Sequence, residues 1–256
     1  MESKENPSGV NPGDEVDFGF RRVDQTTHTS MVRDVFDSVA GRYDLMNDLM
    51  SGGLHRMWKA ALLDRLAPRA DQTLLDVAGG TGDIATGFLS RGGGAAIICD
   101  INEQMMAAGR DKSIDRGIVD GQRLACGDAA DLPVASASVD SCTIVFGLRN
   151  VTRRIDALAE MYRTLRPGGH FICMEFSPAV MPLLKPLYDT YSFRVLPWLG
   201  ARVANDREAY EYLAESIRTF PEPQVLSAEM REAGFGNVSE TPMSGGIVWL
   251  HSGWRV

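Results

Sequence analysis

The chain has 256 residues, 44% of them hydrophobic and 23% charged, with 34 acidic against 26 basic side chains and a formal net charge of −8. These values suit one α/β domain of ordinary size with a large core. The negative balance works against bulk attraction to nucleic acid or to anionic lipid headgroups, although it leaves room for a local basic patch.

Met1 to Asp17 is polar and contains Pro7, Gly9, Pro12 and Gly13. It lacks the basic start and apolar stretch of a signal peptide and is expected to be a disordered tail. Residues 18–256 are expected to form a single domain. No apolar run reaches the roughly 20 residues that span a bilayer. The stretch Met31 to Leu49 has helical apolar spacing, interrupted near Gly41. A second helix is predicted from Leu54 to Leu66, stopped by Pro68. Together these helices give an N-terminal cap over residues 30–68.

The pattern then alternates. Thr73–Ala78 reads as a short apolar strand, followed by the turn Gly79-Gly80-Thr81-Gly82-Asp83 and a helix from Ile84 to Ser90. Strands are predicted at Ala95–Asp100, Gln122–Asp128, Val139–Phe146 and His170–Phe176. Helices fall at Asn102–Arg116 and Arg153–Leu165. Such alternation, with continuously apolar strands, means a mostly parallel sheet covered on both faces. Pro178 to Pro223 is an aromatic-rich insertion. A helix at Gln224–Ala233 and closing strands near Gly236–Thr241 and Gly245–His251 finish the chain, the last strand antiparallel.

Cys99, Cys126, Cys142 and Cys173 each sit in or at the end of a strand. They read as small buried hydrophobes of a reducing compartment: the cytoplasm, or an organelle matrix after loss of a targeting segment. The four histidines (His28, His55, His170, His251) are scattered without ligand spacing, so no metal is expected.

The strand–glycine turn–helix at Leu74 to Phe88 is the central signal. Glycines let backbone approach a ligand, and the following helix N-terminus favours electronegative groups. Asp100 ends the next strand about 20 residues on, where doubly wound folds grip ribose hydroxyls. One carboxylate can accept both hydrogen bonds of a vicinal diol. The turn offers Ala78-x-Gly80-x-Gly82, which is not the Gly-x-Gly-x-x-Gly of a dinucleotide site. Asp128, within Gly127-Asp128-Ala129, suits either an adenine amino group or a turn cap.

These residues resemble motif I of class I methyltransferases, with Ala78 in place of the first glycine. Leu165-Arg-Pro-Gly-Gly169 resembles their later motif. More specifically, Phe36–Asp44 with Met46–Ser51, Ala78–Asp83, Asp100–Glu103, Phe146-Gly-Leu-Arg-Asn-Val151, and Ala204-Asn-Asp206 with Tyr212–Ile217 are similar to the ubiquinone/menaquinone biosynthesis C-methyltransferase (UbiE-like) family. The resemblance runs from about Phe18 to the C-terminus. It implies the Rossmann-like class I methyltransferase fold, a seven-stranded sheet with a reversed last strand and helices on both faces. It also implies S-adenosylmethionine as methyl donor, with contacts from Gly80, Thr81, Gly82, Asp100, Asp128 and Ala129. A further contact near Val145 would be backbone or apolar, because the hydroxyl residue usual there is missing.

The implied acceptor is a prenylated quinol, benzoquinol or naphthoquinol, methylated on a ring carbon. Such a ring attacks well only when a hydroxyl is ionised, from a starting pKa of about 10. Arg149 and Asn150, past the fourth strand at the carboxyl edge of the sheet, are the catalytic candidates. Arg149 would stabilise the phenolate, and Asn150 would relay through water. Asp128 and Glu175 are nearby carboxylates, and Glu175 serves equally as an ion-pair partner. Tyr43, Asp44 and Asn47 are expected in the cap.

Tyr188, Tyr191, Phe193, Trp198, Tyr210 and Tyr212, with Met181, Leu183 and Leu184, are expected to supply the insertion's core or a channel for the tail. A peripheral contact with the membrane's inner face is expected through an apolar lip with Lys185, Arg194 and Arg202. A homodimer and a quinone-biosynthesis complex both remain open. So do another phenolic or lipid acceptor and a catalytically silent scaffold.

Overall fold

The structure, a computed structural model, describes residues 15–115, 117, 120–204 and 206–256. It starts with a hairpin that the sequence does not announce: β1 (Glu15–Phe18) and β2 (Arg21–Asp24), paired antiparallel. The expected tail lies outside the described residues as far as residue 14, and Glu15 to Asp17 belong to β1. Arg22 faces Glu15 and Asp17, and Phe18 is buried, so charge and burial hold the strand down.

Helix α1 (Gln25–Val39) begins six residues before the apolar periodicity does. The cause is a cap: the Asp24 side chain accepts from Thr27 N at 2.9 Å. The break expected near Gly41 is a 3₁₀ turn at Ala40–Arg42, followed by α2 (Tyr43–Ser51). That helix stops at Gly52, whose φ of 58° suits glycine, and α3 (His55–Leu66) follows.

The sheet region then alternates as β3 (Thr73–Val77), α4 (Asp83–Ser90), β4 (Ala95–Asp100), α5 (Glu103–Asp115), β5 (Gln122–Cys126), β6 (Val139–Val145), α6 (Arg154–Thr164) and β7 (Leu165–Phe176). Arg116, the expected end of α5, lies outside the described residues. The insertion is helical: α7 (Lys185–Thr190), a π turn at Tyr191–Val195, α8 (Leu196–Leu199), a second π turn at Gly200–Ala204, and α9 (Arg207–Thr219). The chain closes with α10 (Pro223–Glu232), β8 (Gly236–Met243) and β9 (Val248–Trp254).

Seven strands form one sheet in the order β5-β4-β3-β6-β7-β9-β8. β9 runs antiparallel to both neighbours, and the other resolved pairings are parallel. The expected fold class is therefore the observed one. Alternate residues feed two cores. Leu74, Ile98 and Met174 face Trp58, Leu62 and Phe88. Leu75, Val77 and Ile144 face Leu158, Met161 and Leu226.

Two expectations are corrected. Cys126 is exposed, because β5 is the sheet edge, where Leu124 is exposed too; Cys99, Cys142 and Cys173 are buried. β7 begins at Leu165, five residues early, because Leu165 pairs with Val139 across a register shift.

Candidate active site

The loop after β3 is shaped by backbone that side chains resist. Gly80 has φ +54° and Gly82 φ +74°. A Cβ on Gly82 would meet Ile98 Cδ1 at 2.6 Å, so this glycine serves the packing of α4's first turn onto the sheet. Ala78 holds φ +49° without being glycine, a strain of about 1–2 kcal/mol. Gly80 N donates to Asp100 Oδ2 at 2.8 Å, and Asn102 N donates to Asp100 Oδ1 at 2.8 Å. Each carboxylate oxygen keeps a further lone pair. Burial pushes the Asp100 carboxyl above its usual range, against the pull of these N–H donors. Asn102 Nδ2 donates to Asp37 Oδ1 at 2.7 Å and so ties α1 across the loop.

Between α1 and the carboxyl ends of the strands lies a cavity of about 780 Å³, partly open to solvent. Of the residues singled out in the sequence, Gly80, Asp100, Asp128, Ala129 and Asn150 line it. Of the two jobs left open for Asp128 the turn cap is observed, Oδ1 accepting from Ala130 N at 2.8 Å, and the residue also lines the cavity. The sequence reading missed Thr29, Val32, Arg33 and Phe36 from α1, and Met105 and Phe146 from the sheet side. Phe36 and Phe146 stood inside quoted motifs, which was the available signal.

Thr81 and Val145 are not on that wall. They line an adjoining hollow with Tyr43, Lys59, Asp76 and Asp83, and Tyr43 and Ala78 border both spaces. Gly82 lines neither. Asp76 Oδ1 accepts from Thr143 Oγ1 at 2.8 Å, while the buried Oδ2 has no hydrogen-bond partner among the described residues. Lys59 and Lys112 both close on Asp83, at 2.9 and 2.8 Å, and Lys112 also reaches Asp44 on α2. These cations hold the Asp83 carboxyl well below the usual carboxylate range despite its burial. The network clasps the cap helices to α4 and α5.

Burial pushes the Asp76 carboxyl from 3.8 up to about 7. A raised carboxyl binds its proton more tightly when folded. Stability from it is therefore complete below pH 3.8 and is lost as pH rises toward 7. Asp76→Asn should remove that slope, so the variant gains on the wild type between pH 4 and 8 in ligand-free thermal melts. The buried histidines His28, His55, His170 and His251, pushed down by burial, slope the opposite way in both proteins and cancel in the difference. Parallel curves would count against a titrating Asp76.

Arg149 and Asn150 sit on the 3₁₀ turn Leu148–Asn150 after β6, and they part company. The Arg149 side chain is 2% exposed and closes on Glu175 Oε1 at 2.6 Å and on the Phe146 carbonyl at 2.7 Å. Arg149 is not among the residues that line the cavity; it borders a separate hollow with Glu15, Arg154 and Ser216. Glu175 is thus an ion-pair partner, and burial pushes its carboxyl up against the Arg149 charge. Asn150 faces the cavity; its Oδ1 accepts from Tyr212 Oη at 3.0 Å.

None of the insertion's six aromatic candidates lines the cavity. Tyr188, Tyr210 and Tyr212 are buried, whereas Phe193 and Trp198 are exposed. Tyr191 Oη donates to the Leu49 carbonyl, bonding the insertion to α2. No helix among the described residues is long and apolar enough to cross a membrane.

A ligand with a vicinal diol, an aromatic base and a cationic amino group matches what this site lacks. Asp100 has spare lone pairs at the cavity, Phe36, Val32 and Met105 give apolar wall, and Asp76 Oδ2 has no donor. The residues present therefore fit S-adenosylmethionine.

Comparison with known proteins agrees. The model of the ubiE/COQ5 methyltransferase family matches residues 23–255. A ubiquinone/menaquinone biosynthesis C-methyltransferase of Paracoccus denitrificans is 53% identical over 243 residues, covering 94% of this chain and 97% of that one. Its counterpart in Acidiphilium cryptum is 51% identical over 241 residues, with the same coverage. Among solved structures, an S-adenosylmethionine-dependent methyltransferase of Thermotoga maritima superposes with a TM-score of 0.63 at 18% identity, covering 88% of this chain and 100% of that one. A phosphoethanolamine N-methyltransferase of Haemonchus contortus, solved with S-adenosylmethionine, gives 0.56 at 17% identity, over 73% of this chain and 38% of that one. The last two speak for the fold, and the family match and the half-identical relatives decide the rest: the chain belongs to the ubiE/COQ5 methyltransferase family and is an S-adenosylmethionine-dependent C-methyltransferase.

Proposed function

We propose that the protein methylates a ring carbon of a prenylated quinol, a benzoquinol or a demethylated naphthoquinol, in quinone biosynthesis. The observation that carries this reading is the cavity that runs from Asp100 to Asn150 beneath α1, in a chain half identical to enzymes named for that reaction.

When bound, S-adenosylmethionine supplies an activated methyl group on a positively charged sulfur. Asp100 would accept from its ribose hydroxyls and Asp128 from its adenine amino group, and Thr81 and the Val145 backbone, which line the hollow with Asp76, would hold its amino-acid end. Gly80 brings backbone close, and Gly82 keeps α4 tight beneath it. Phe146, which lines the cavity beside Asn150, would flank the acceptor ring. Asn150 donates to the ring oxygen as it takes on negative charge. The methyl donor, held there, would supply its methyl group to the ring carbon in exchange for that carbon's proton, which would pass to water at the cavity's open side. Arg149 acts indirectly: paired to Glu175, it holds the Phe146 carbonyl and with it the turn that carries Asn150.

The test is incubation with methyl-labelled donor and two chemically reduced acceptors, a demethylated polyprenyl benzoquinol and demethylmenaquinol, with mass spectrometry locating the label. Label on a ring carbon names the acceptor. No label on either, with the donor bound in calorimetry, overturns the quinol reading in favour of another acceptor. No binding leaves a silent scaffold.

A polyprenyl substrate resides in lipid, and the insertion carries a matching surface. Leu183 in the turn before α7, and Leu187, Arg194, Trp198 and Arg202 along α7, α8 and their π turns, fall four or seven residues apart, and all are exposed. Leu183 is 86% and Leu187 73% exposed. Residues 181–205 carry Lys185, Arg194 and Arg202 against Asp189 alone, and Asp189 is paired with Arg218 and Lys185. An apolar and cationic stripe on an acidic protein suits an anionic bilayer face. Replacing Leu183, Leu187 and Trp198 together by serine should abolish cosedimentation with anionic vesicles, while activity on a tail-less quinol stays. Wild-type protein left in the supernatant would refute the lip.

A further inference from the structure

We infer that Tyr212 is a positioning residue for the ring methylation, on which reading the inference rests: its hydroxyl turns the Asn150 carboxamide so that an N–H rather than the carbonyl oxygen meets the acceptor's ring oxygen.

Phe146 has a φ of +58°, uncommon for a residue other than glycine, and its carbonyl receives two side chains. Arg149 Nη1 donates to it at 2.7 Å, and Asn150 Nδ2 lies 3.5 Å from it. Turning the amide over would set two acceptor oxygens against each other at that place. The nitrogen must therefore face Phe146, and Oδ1 must face Tyr212 Oη, 3.0 Å away. A carbonyl oxygen only accepts, so the tyrosine hydroxyl is the donor.

Tyr212 suits that task. It is 4% exposed, and Phe18 of β1 stacks on its ring at 4.1 Å between centroids and 17° between planes. The hairpin is anchored in turn by Phe20 N, which donates to Glu215 Oε2 at 3.1 Å. Burial pushes the phenol above its ordinary value, so the hydroxyl keeps its proton throughout the working range. The Asn150 amide has a second N–H with no acceptor among the described residues, and Asn150 lines the cavity. A donor there stabilises a ring oxygen that becomes negative; a carbonyl there would repel it.

The sequence held Tyr212 only as part of a family motif and as a candidate for the tail channel. The structure gives it a specific partner across the boundary between insertion and sheet.

Four proteins test this: wild type, Tyr212→Phe, Asn150→Ala and the double variant. Phenylalanine keeps the stack on Phe18, and thermal melts check that it does. Tyr212→Phe should lower kcat about tenfold, the scale of one hydrogen bond, with KM for S-adenosylmethionine unchanged. The rising limb of its kcat–pH profile should move to higher pH, because the ring hydroxyl ionises less readily. The double variant should match Asn150→Ala, since Tyr212 acts only through that amide. Wild-type kcat in Tyr212→Phe, an unmoved profile, or losses that multiply in the double variant would each overturn the inference. A wild type inactive on both quinols takes down the quinol reading and this inference together; an active wild type beside an indifferent Tyr212→Phe takes down this inference alone.

Discussion

Asp100→Ala is expected to weaken S-adenosylmethionine binding about a hundredfold or more, read by calorimetry on the ligand-free protein. Two hydrogen bonds to a charged acceptor are worth about 1.5–3 kcal/mol each, and about 3 kcal/mol is already a factor of a hundred. The carboxylate also receives Gly80 N and Asn102 N, so the variant loses the clamp that joins the glycine loop to the turn after β4. Both effects point the same way for the donor. They separate in the melt: a lost contact alone leaves ligand-free stability nearly unchanged, whereas a sprung loop lowers it. Unaltered affinity would remove Asp100 from the donor site and with it the assignment of this end of the cavity.

Glu175→Gln is expected to cost about 3–5 kcal/mol of stability, because it leaves the Arg149 cation buried without its counter-charge. For a chain of this size that lowers the melting temperature by about 10 °C. The two side chains are 2% and 1% exposed, so solvent cannot substitute. Replacing both, as Arg149→Met with Glu175→Leu, should recover most of the loss, since apolar groups of similar volume fill such a site at little cost. The recovered protein should still turn over poorly, because the Phe146 carbonyl then loses its 2.7 Å donor and keeps only the longer contact from Asn150 Nδ2. Full activity in it would show that the pair serves stability alone. A double variant as unstable as Glu175→Gln would show that the buried charge was not the cause.

Much of this molecule was legible in one dimension. The seven strands and their reversed last member followed from apolar runs, glycine turns and helical spacing, because parallel strands buried on both faces have a simple pattern. Asp100 could be placed because the length of a strand–helix–strand unit fixes where the second strand ends. The break near Gly41 and the stop after Ser51 were local backbone signals, and local signals survive folding.

Four things were decided by packing alone. The hairpin β1–β2 is too short and polar to announce itself; Phe18 stacks on Tyr212, almost 200 residues away. Cys126 reads like the other cysteines and is exposed, since an apolar run does not say which strand becomes the edge. Thr81 and Val145 fall to a second hollow, which depends on where α2 seats Tyr43. Arg149 and Asn150, adjacent in sequence, point to different partners: one into Glu175, the other to the cavity and Tyr212. Apolar runs and periodicity therefore determined the sheet, and it was the glycine turn and the motifs resembling the family that pointed to the family and its methyl donor. Only the tertiary structure decided which side chain at the turn after β6 faces the cavity, because a tight turn sends successive side chains in different directions, and only distant elements supply the charge and the hydroxyl that capture each.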